Sequence, residues 1–131
     1  MKFTSLRIIT HDIKRLVQFF EKATAITAQW YTEDFAEIVT GDSTLAIGSM
    51  RTIGIFGDKI AEPASNKSVI IEFRVENVDD DYERIKGSIS DIVQKPTTMP
   101  WGNRSLLFRD PDGNLINFFT PVTADAIKKF S

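Results

Sequence analysis

One internal repeat restricts this chain more than any other feature. Ile13, Val17 and Phe20 recur 65 positions later as Val78, Tyr82 and Ile85, so two amphipathic helices carry matching apolar faces at a single offset. The neighbouring elements repeat in the same order. Residues 3–10 read as a strand, a helix runs over about 12–22 with Asp12 as its N-cap, and short strands follow at 27–31, 35–40 and 44–47. In the second half 68–75 is a strand, and Val78, Tyr82, Ile85 and Ile89 mark one face of a helix. Strands follow at about 91–95, 104–108 and 115–119. Asp79, Asp80 and Asp81 sit in the first turn of that second helix, where the helix dipole favours negative charge. Residues 123–130 are expected to form a terminal helix packing through Ile127 and Phe130. The expected fold class is α+β, with two tandem βαβββ modules enclosing a cleft. Module one covers about 1–49, a linker about 50–67, module two about 68–122 and a C-terminal segment 123–131, all within one domain.

Composition narrows the chemistry. An apolar fraction of 42% with 11% aromatics suits a folded domain and argues against disorder. The chain has no cysteine, which removes disulfides, thiolate metal sites and a cysteine nucleophile. Its 16 basic and 18 acidic residues are interspersed and sum to −2, so no basic footprint for nucleic acid or anionic membrane is expected. Arg7 interrupts the N-terminal apolar stretch before a leader core develops, and no apolar run approaches the ~20 residues of a membrane span. A cytoplasmic protein is the expectation.

The second half ends in Phe108-Arg109-Asp110-Pro111-Asp112-Gly113-Asn114-Leu115-Ile116, a turn that proline and glycine preset, leading into a last strand. With the duplicated modules, and Val75-Glu76-Asn77-Val78-Asp79 leading into the second helix, the chain resembles the vicinal oxygen chelate superfamily over nearly its whole length. That superfamily includes glyoxalases, bleomycin resistance proteins and extradiol dioxygenases.

The resemblance implies where a divalent ion would be held in metal-dependent members, usually by two histidines and two glutamates. Seven residues before the helix-start aspartate lies Ser5, five before Val75 lies Ile70, and four after the turn glycine lies Asn117. The fourth position is Ala46, or Ile47 if the register slips by one. Two of these positions are apolar and two are neutral, weak donors, so a hard or borderline cation is expected to bind poorly. His11 is the only histidine and falls at a strand-to-helix junction, where it reads as a solvated loop residue. Neither a metal nor any other cofactor is expected, which removes the superfamily's metal-assisted reactions.

Strand alternation then names what should look into the cleft: Ser5 and Arg7 on the first strand, Ile70 and Glu72 on the strand opening module two, and Asn117 and Phe119 on the last. The repeat offset sets Arg7 opposite Glu72 as a polar pair, and these two are the candidates for any acid–base chemistry. Trp101, between a proline and a glycine, is expected at one end of the pocket. The apolar run Ile53-Gly54-Ile55-Phe56 is expected to pack at the cleft mouth or against a second subunit, since the resemblance implies a homodimer. The leading expectation is a metal-independent binder of a small organic molecule, acting by sequestration or sensing. Alternatives are an enzyme of the same superfamily, either a lyase or dioxygenase or a metal-free catalyst built on Glu72 and Arg7, and a dimerisation module without ligand.

Overall fold

The computed structural model describes residues 1–57 and 59–131. The chain divides into two units, Met1–Asn66 and Lys67–Ser131.

The first unit runs β1 (Ser5–Thr10), α1 (Ile13–Thr24), β2 (Gln29–Thr32), β3 (Phe35–Thr40) and β4 (Ser43–Ser49), followed by two single 3-10 turns at Met50–Thr52 and Gly54–Phe56. Its sheet has the order β1-β4-β3-β2. β1 lies parallel to β4, as a strand followed by a crossover helix allows, and the other pairs are antiparallel. The Asp12 side chain accepts from the Arg15 N–H at 3.2 Å and starts α1, while Ala25 in the left-handed region (φ 59°) ends it. Between these caps Ile13, Leu16, Val17, Phe20 and Ala23 recur at helical spacing and are buried against β3 and β4, where Ile38 and Ile47 are also fully buried. Each large side chain withdrawn from water here contributes about 1.5–3 kcal/mol. The end of β4 is tied to the β2–β3 turn through Asp34, whose Oδ1 accepts from Ser49 Oγ at 2.7 Å and Arg51 Nε at 2.9 Å. The Arg51 guanidinium, and next the Ser49 hydroxyl, hold the Asp34 carboxyl below the ordinary range.

The second unit repeats the plan: β5 (Ile70–Arg74), α2 (Val78–Ile85), β6 (Ile92–Thr98), β7 (Asn103–Arg109), β8 (Leu115–Pro121), then α3 (Ala124–Lys129). Sheet order is β5-β8-β7-β6, again with the first strand parallel to the last. The duplication extends to register: Arg7 pairs with Ala46 in the first sheet as Glu72 pairs with Asn117 in the second. Asn77 Oδ1 accepts from the N–H groups of Asp79 (3.1 Å) and Asp80 (3.2 Å) and caps α2. The core under α2 holds Leu106, Phe108, Ile116 and Phe118, the last meeting Phe108 and Phe73 edge-on at 5.0 and 5.5 Å between ring centres. In the turn before β8, Asp110 Oδ1 accepts from the N–H groups of Asp112 and Asn114, both at 2.9 Å, and Oδ2 from Asn114 Nδ2 at 2.7 Å. Burial nonetheless raises the Asp110 carboxyl above its ordinary value, the hydrogen bonds only partly opposing it.

Several expectations are corrected. The second helix stops at Ile85, short of Ile89, because Gly87 and two serines follow; Ile89 is buried all the same, from the turn. β6 continues through Pro96 to Thr98, so the loop before β7 is four residues rather than the longer one the prolines suggest. The terminal helix packs through Ala126 and Phe130; Ile127 points outward and is 53% exposed. β1 and β5 each begin two residues later than the apolar pattern suggests, and β2 occupies Gln29–Thr32.

Candidate functional site

Each sheet has one face under its helix and one turned away from it, and alternation assigns every strand residue to one of them. In the first sheet Leu6, Ile8, Ile38 and Ile47 belong to the helix side. The open side carries Ser5, Arg7 and Ile9 from β1, with Ala46 and Glu37 in register beside Arg7. Ile47, the alternative fourth ligand position, therefore lies in the core, and Ala46 holds the open-face place. At one edge the Tyr31 hydroxyl donates to Gln29 Oε1 at 3.1 Å, and its hydrogen bonding with the Glu37 carboxylate raises the phenol's pKa. The 3-10 segment folds over the other end of this face. A Cβ on Gly48 would stand 2.7 Å from Thr52 Oγ1, so only glycine lets the segment approach so closely, and Ile53 is buried there. Farther along the same segment Ile55 is 89% exposed.

In the second sheet Ile71, Phe73, Ile116 and Phe118 face α2, which turns Ile70, Glu72, Arg74, Asn117 and Phe119 to the open side. Asn117 Nδ2 donates to Glu72 Oε2 at 2.8 Å. Asn117 is only 9% exposed, and its amide oxygen has no hydrogen-bond partner. Ile70 lies on the same face of β5 as Glu72 and is half exposed. Phe119 is covered by the Phe130 ring at 5.1 Å, and the Arg74 guanidinium donates to the Phe130 carbonyl oxygen, so the chain terminus shields that end of the face. Trp101 sits in the β6–β7 turn, 67% exposed, beyond the Asn103–Pro121 pair. Strand rise sets it about 13 Å or more from Asn117, at the opposite end from Ile70. Of the residues singled out from sequence, the second unit thus brings together Glu72 and Asn117, with Ile70 and Phe119 flanking them; Ser5 and Arg7 lie on the equivalent face of the first sheet.

Sequence reasoning missed Leu107, which stands across from Asn117, and, though it named Phe130 as a packing residue, missed that this ring covers Phe119. Leu107 was invisible because its neighbour depends on β7–β8 register, and the cover over Phe119 because a terminal helix does not announce what it lies upon. His11 is exposed at the β1–α1 junction, as its position suggests.

The mapped ligand positions do not fit a divalent ion. Ser5, Ala46, Ile70 and Asn117 supply a hydroxyl, a methyl, a branched alkyl group and a neutral amide, with neither imidazole nor carboxylate among them. Among the described residues no group of three or more His, Cys, Asp or Glu side chains is placed to hold a metal.

The repeated sheet order agrees with the comparisons. The family model described as the glyoxalase/bleomycin resistance protein/dioxygenase superfamily matches residues 2–118. The chain belongs to this superfamily. Within its range of relatives, the uncharacterized protein YraH of Bacillus subtilis (strain 168) is 27% identical over 125 residues, covering 91% of this chain and 98% of that one. Solved structures share the fold. A glyoxalase/bleomycin resistance protein/dioxygenase family enzyme from Burkholderia phytofirmans PsJN has a TM-score of 0.79 at 15% identity, covering 90% of this chain and 97% of its own. A glyoxalase/bleomycin resistance protein/dioxygenase from Nocardioides has a TM-score of 0.76 at 23% identity, covering 95% of this chain and 85% of its own.

Proposed function

We propose that this superfamily member is a metal-independent small-molecule binding protein, acting by sequestration or sensing. The observation that carries the reading is the set Ser5, Ala46, Ile70 and Asn117 at the mapped ligand positions, all on open sheet faces and none a metal donor of useful strength. In the second unit the binding face centres on Glu72 and Asn117, with Ile70 and Phe119 as apolar flanks; in the first unit the corresponding face carries Ser5 and Arg7. A second reading, an acid–base catalyst using Glu72 and Arg7, draws on the hydrogen bond from Asn117 that fixes one Glu72 oxygen. A homodimer and a cytoplasmic location belong to the same proposal, and exposed Ile55 and Phe56 support the first.

Metal analysis of protein purified without chelator or an affinity-tag metal tests the reading directly. Substoichiometric traces are expected, and near-stoichiometric zinc, nickel, iron or manganese overturns it. A thermal-shift panel of planar cations, thiol conjugates and small carbonyl compounds should contain at least one compound that raises the melting temperature, since a native-state ligand must do so.

A further inference from the structure

We propose that the groove between the start of α1 and the edge strand β2 is a small-molecule site separate from the open faces. It takes a zwitterion with an apolar ring, an aromatic α-amino acid, whose carboxylate meets Lys14, whose ammonium meets Glu33 and whose ring lies on Trp30.

The groove follows from how α1 lies on its sheet. The helix packs on β3 and β4, and β2 forms the sheet edge beyond them. Trp30 pairs with the buried Ala36, so its side chain belongs to the helix side, yet at this edge it stays 44% exposed. Glu21 marks the flank of α1 that faces the strand: its Oε2 accepts the Ala28 N–H at 2.8 Å. Lys14 sits two turns earlier on that flank, about 10 Å back along the helix, and three strand residues beyond Ala28 cover about the same distance. Lys14 therefore comes level with Tyr31. Together with Trp30, Thr32 and Glu33 these two line a cavity of about 300 Å³.

Size and chemistry then select the occupant. Small-molecule sites run from about 300 to 1,000 Å³, so this groove suits a molecule of one ring. Trp30 offers that ring a flat apolar wall, and among the described residues no hydrogen bond or ring contact engages the indole. Lys14 and Glu33 bring opposite charges to the same groove. Both are exposed, and among the described residues neither forms a salt bridge with the other or with any third side chain. Arg51, the cation whose charge Glu33 feels, is held by Asp34 through Nε at 2.9 Å and Nη2 at 2.8 Å. A simple anion would gain Lys14 and be repelled by Glu33, and a simple cation would meet the reverse. A zwitterion satisfies both while its ring covers the indole. Exposed ion pairs are weak singly, so selectivity comes from making the three contacts together.

Three probes with one ring test this: L-phenylalanine carries both charges, 3-phenylpropanoate only the carboxylate and 2-phenylethylamine only the ammonium. Binding to the full chain is followed at the Trp30 indole N–H resonance, one of two such signals in the chain. L-phenylalanine should shift it saturably and bind at least about fivefold more tightly than either single-charge probe. Lys14→Gln should weaken L-phenylalanine and 3-phenylpropanoate by about fivefold without weakening 2-phenylethylamine, and Glu33→Gln should weaken L-phenylalanine and 2-phenylethylamine without weakening 3-phenylpropanoate. Both positions are exposed, so neither variant disturbs the core. A saturable shift in which L-phenylalanine does no better than a single-charge probe, or is indifferent to either variant, overturns the zwitterion. No saturable shift from any probe overturns the site itself. Because the signal is read at Trp30, either failure is distinct from a failure of binding at the open faces.

Discussion

Gly102 joins the β6–β7 turn to the C-terminal segment, and replacing it with alanine separates two kinds of strain. Its φ is +94°, a region that L side chains rarely adopt, and an added Cβ would lie 2.0 Å from Thr123 Oγ1 and 3.0 Å from the Ala126 Cβ. Gly113, in the β7–β8 turn, has φ +84° but nothing within 4 Å of an added Cβ. Gly113→Ala therefore reports the backbone cost alone, about 1–2 kcal/mol. Gly102→Ala carries that cost and an overpacking cost of about 1–3 kcal/mol. It also forces Thr123 aside, and Thr123 Oγ1 accepts from the Ala126 N–H at 3.3 Å as the cap of α3, which adds about 1 kcal/mol. Gly102→Ala should thus lose about 2–4 kcal/mol more than Gly113→Ala. With a urea slope of about 1.5 kcal/mol per molar, the midpoint should fall by about 1–3 M relative to Gly113→Ala. Because α3 carries Phe130 over Phe119, Gly102→Ala should also raise hydrogen exchange at Phe119 and Thr120. Equal losses for the two variants would refute the packing of the terminal segment against this turn.

Two other outcomes follow from the same structure. Phe118→Ala removes a ring that touches both Phe73 and Phe108 in the second core and should cost about 3–5 kcal/mol in denaturant unfolding, whereas Ile127→Ala, on the exposed side of α3, should stay within about 0.5 kcal/mol; comparable losses would contradict the assigned faces. Asp110 binds its proton more tightly folded than unfolded, so its contribution is fully present below the ordinary aspartate value and is lost as pH rises through the raised folded value. The stability of the parent relative to Asp110→Asn should accordingly increase as pH falls through that window, and a difference that is flat or of opposite slope in pH-dependent urea titrations would remove the burial argument.

Much of the architecture is legible in the residues because it rests on local spacing. The helix repeat at one offset, the Asp12 cap and the Asp110–Gly113 turn each depend on side chains within a few positions of one another, and all appear where expected. The errors fall where local signals compete. Ile89 continues the helical apolar pattern, but Gly87 and the serines end α2 first and the side chain reaches the core from a turn. Ile127 looks as apolar as Phe130, and only the packing of α3 on Gly102 turns Ala126 inward in its place.

For the site, the sequence by itself determined the residue types: no thiol and a single histidine. It also determined that Glu72 and Asn117 belong to strands of one repeat. Tertiary structure alone decided that they are direct neighbours, that Ala46 and not Ile47 takes the open-face place, and that the Asn117 oxygen is buried without a partner. The physical reason is register. Which face a residue occupies follows from a period of two along its own strand, but what stands beside it, and whether its polar atoms are satisfied, is set by pairing with residues 45 positions away.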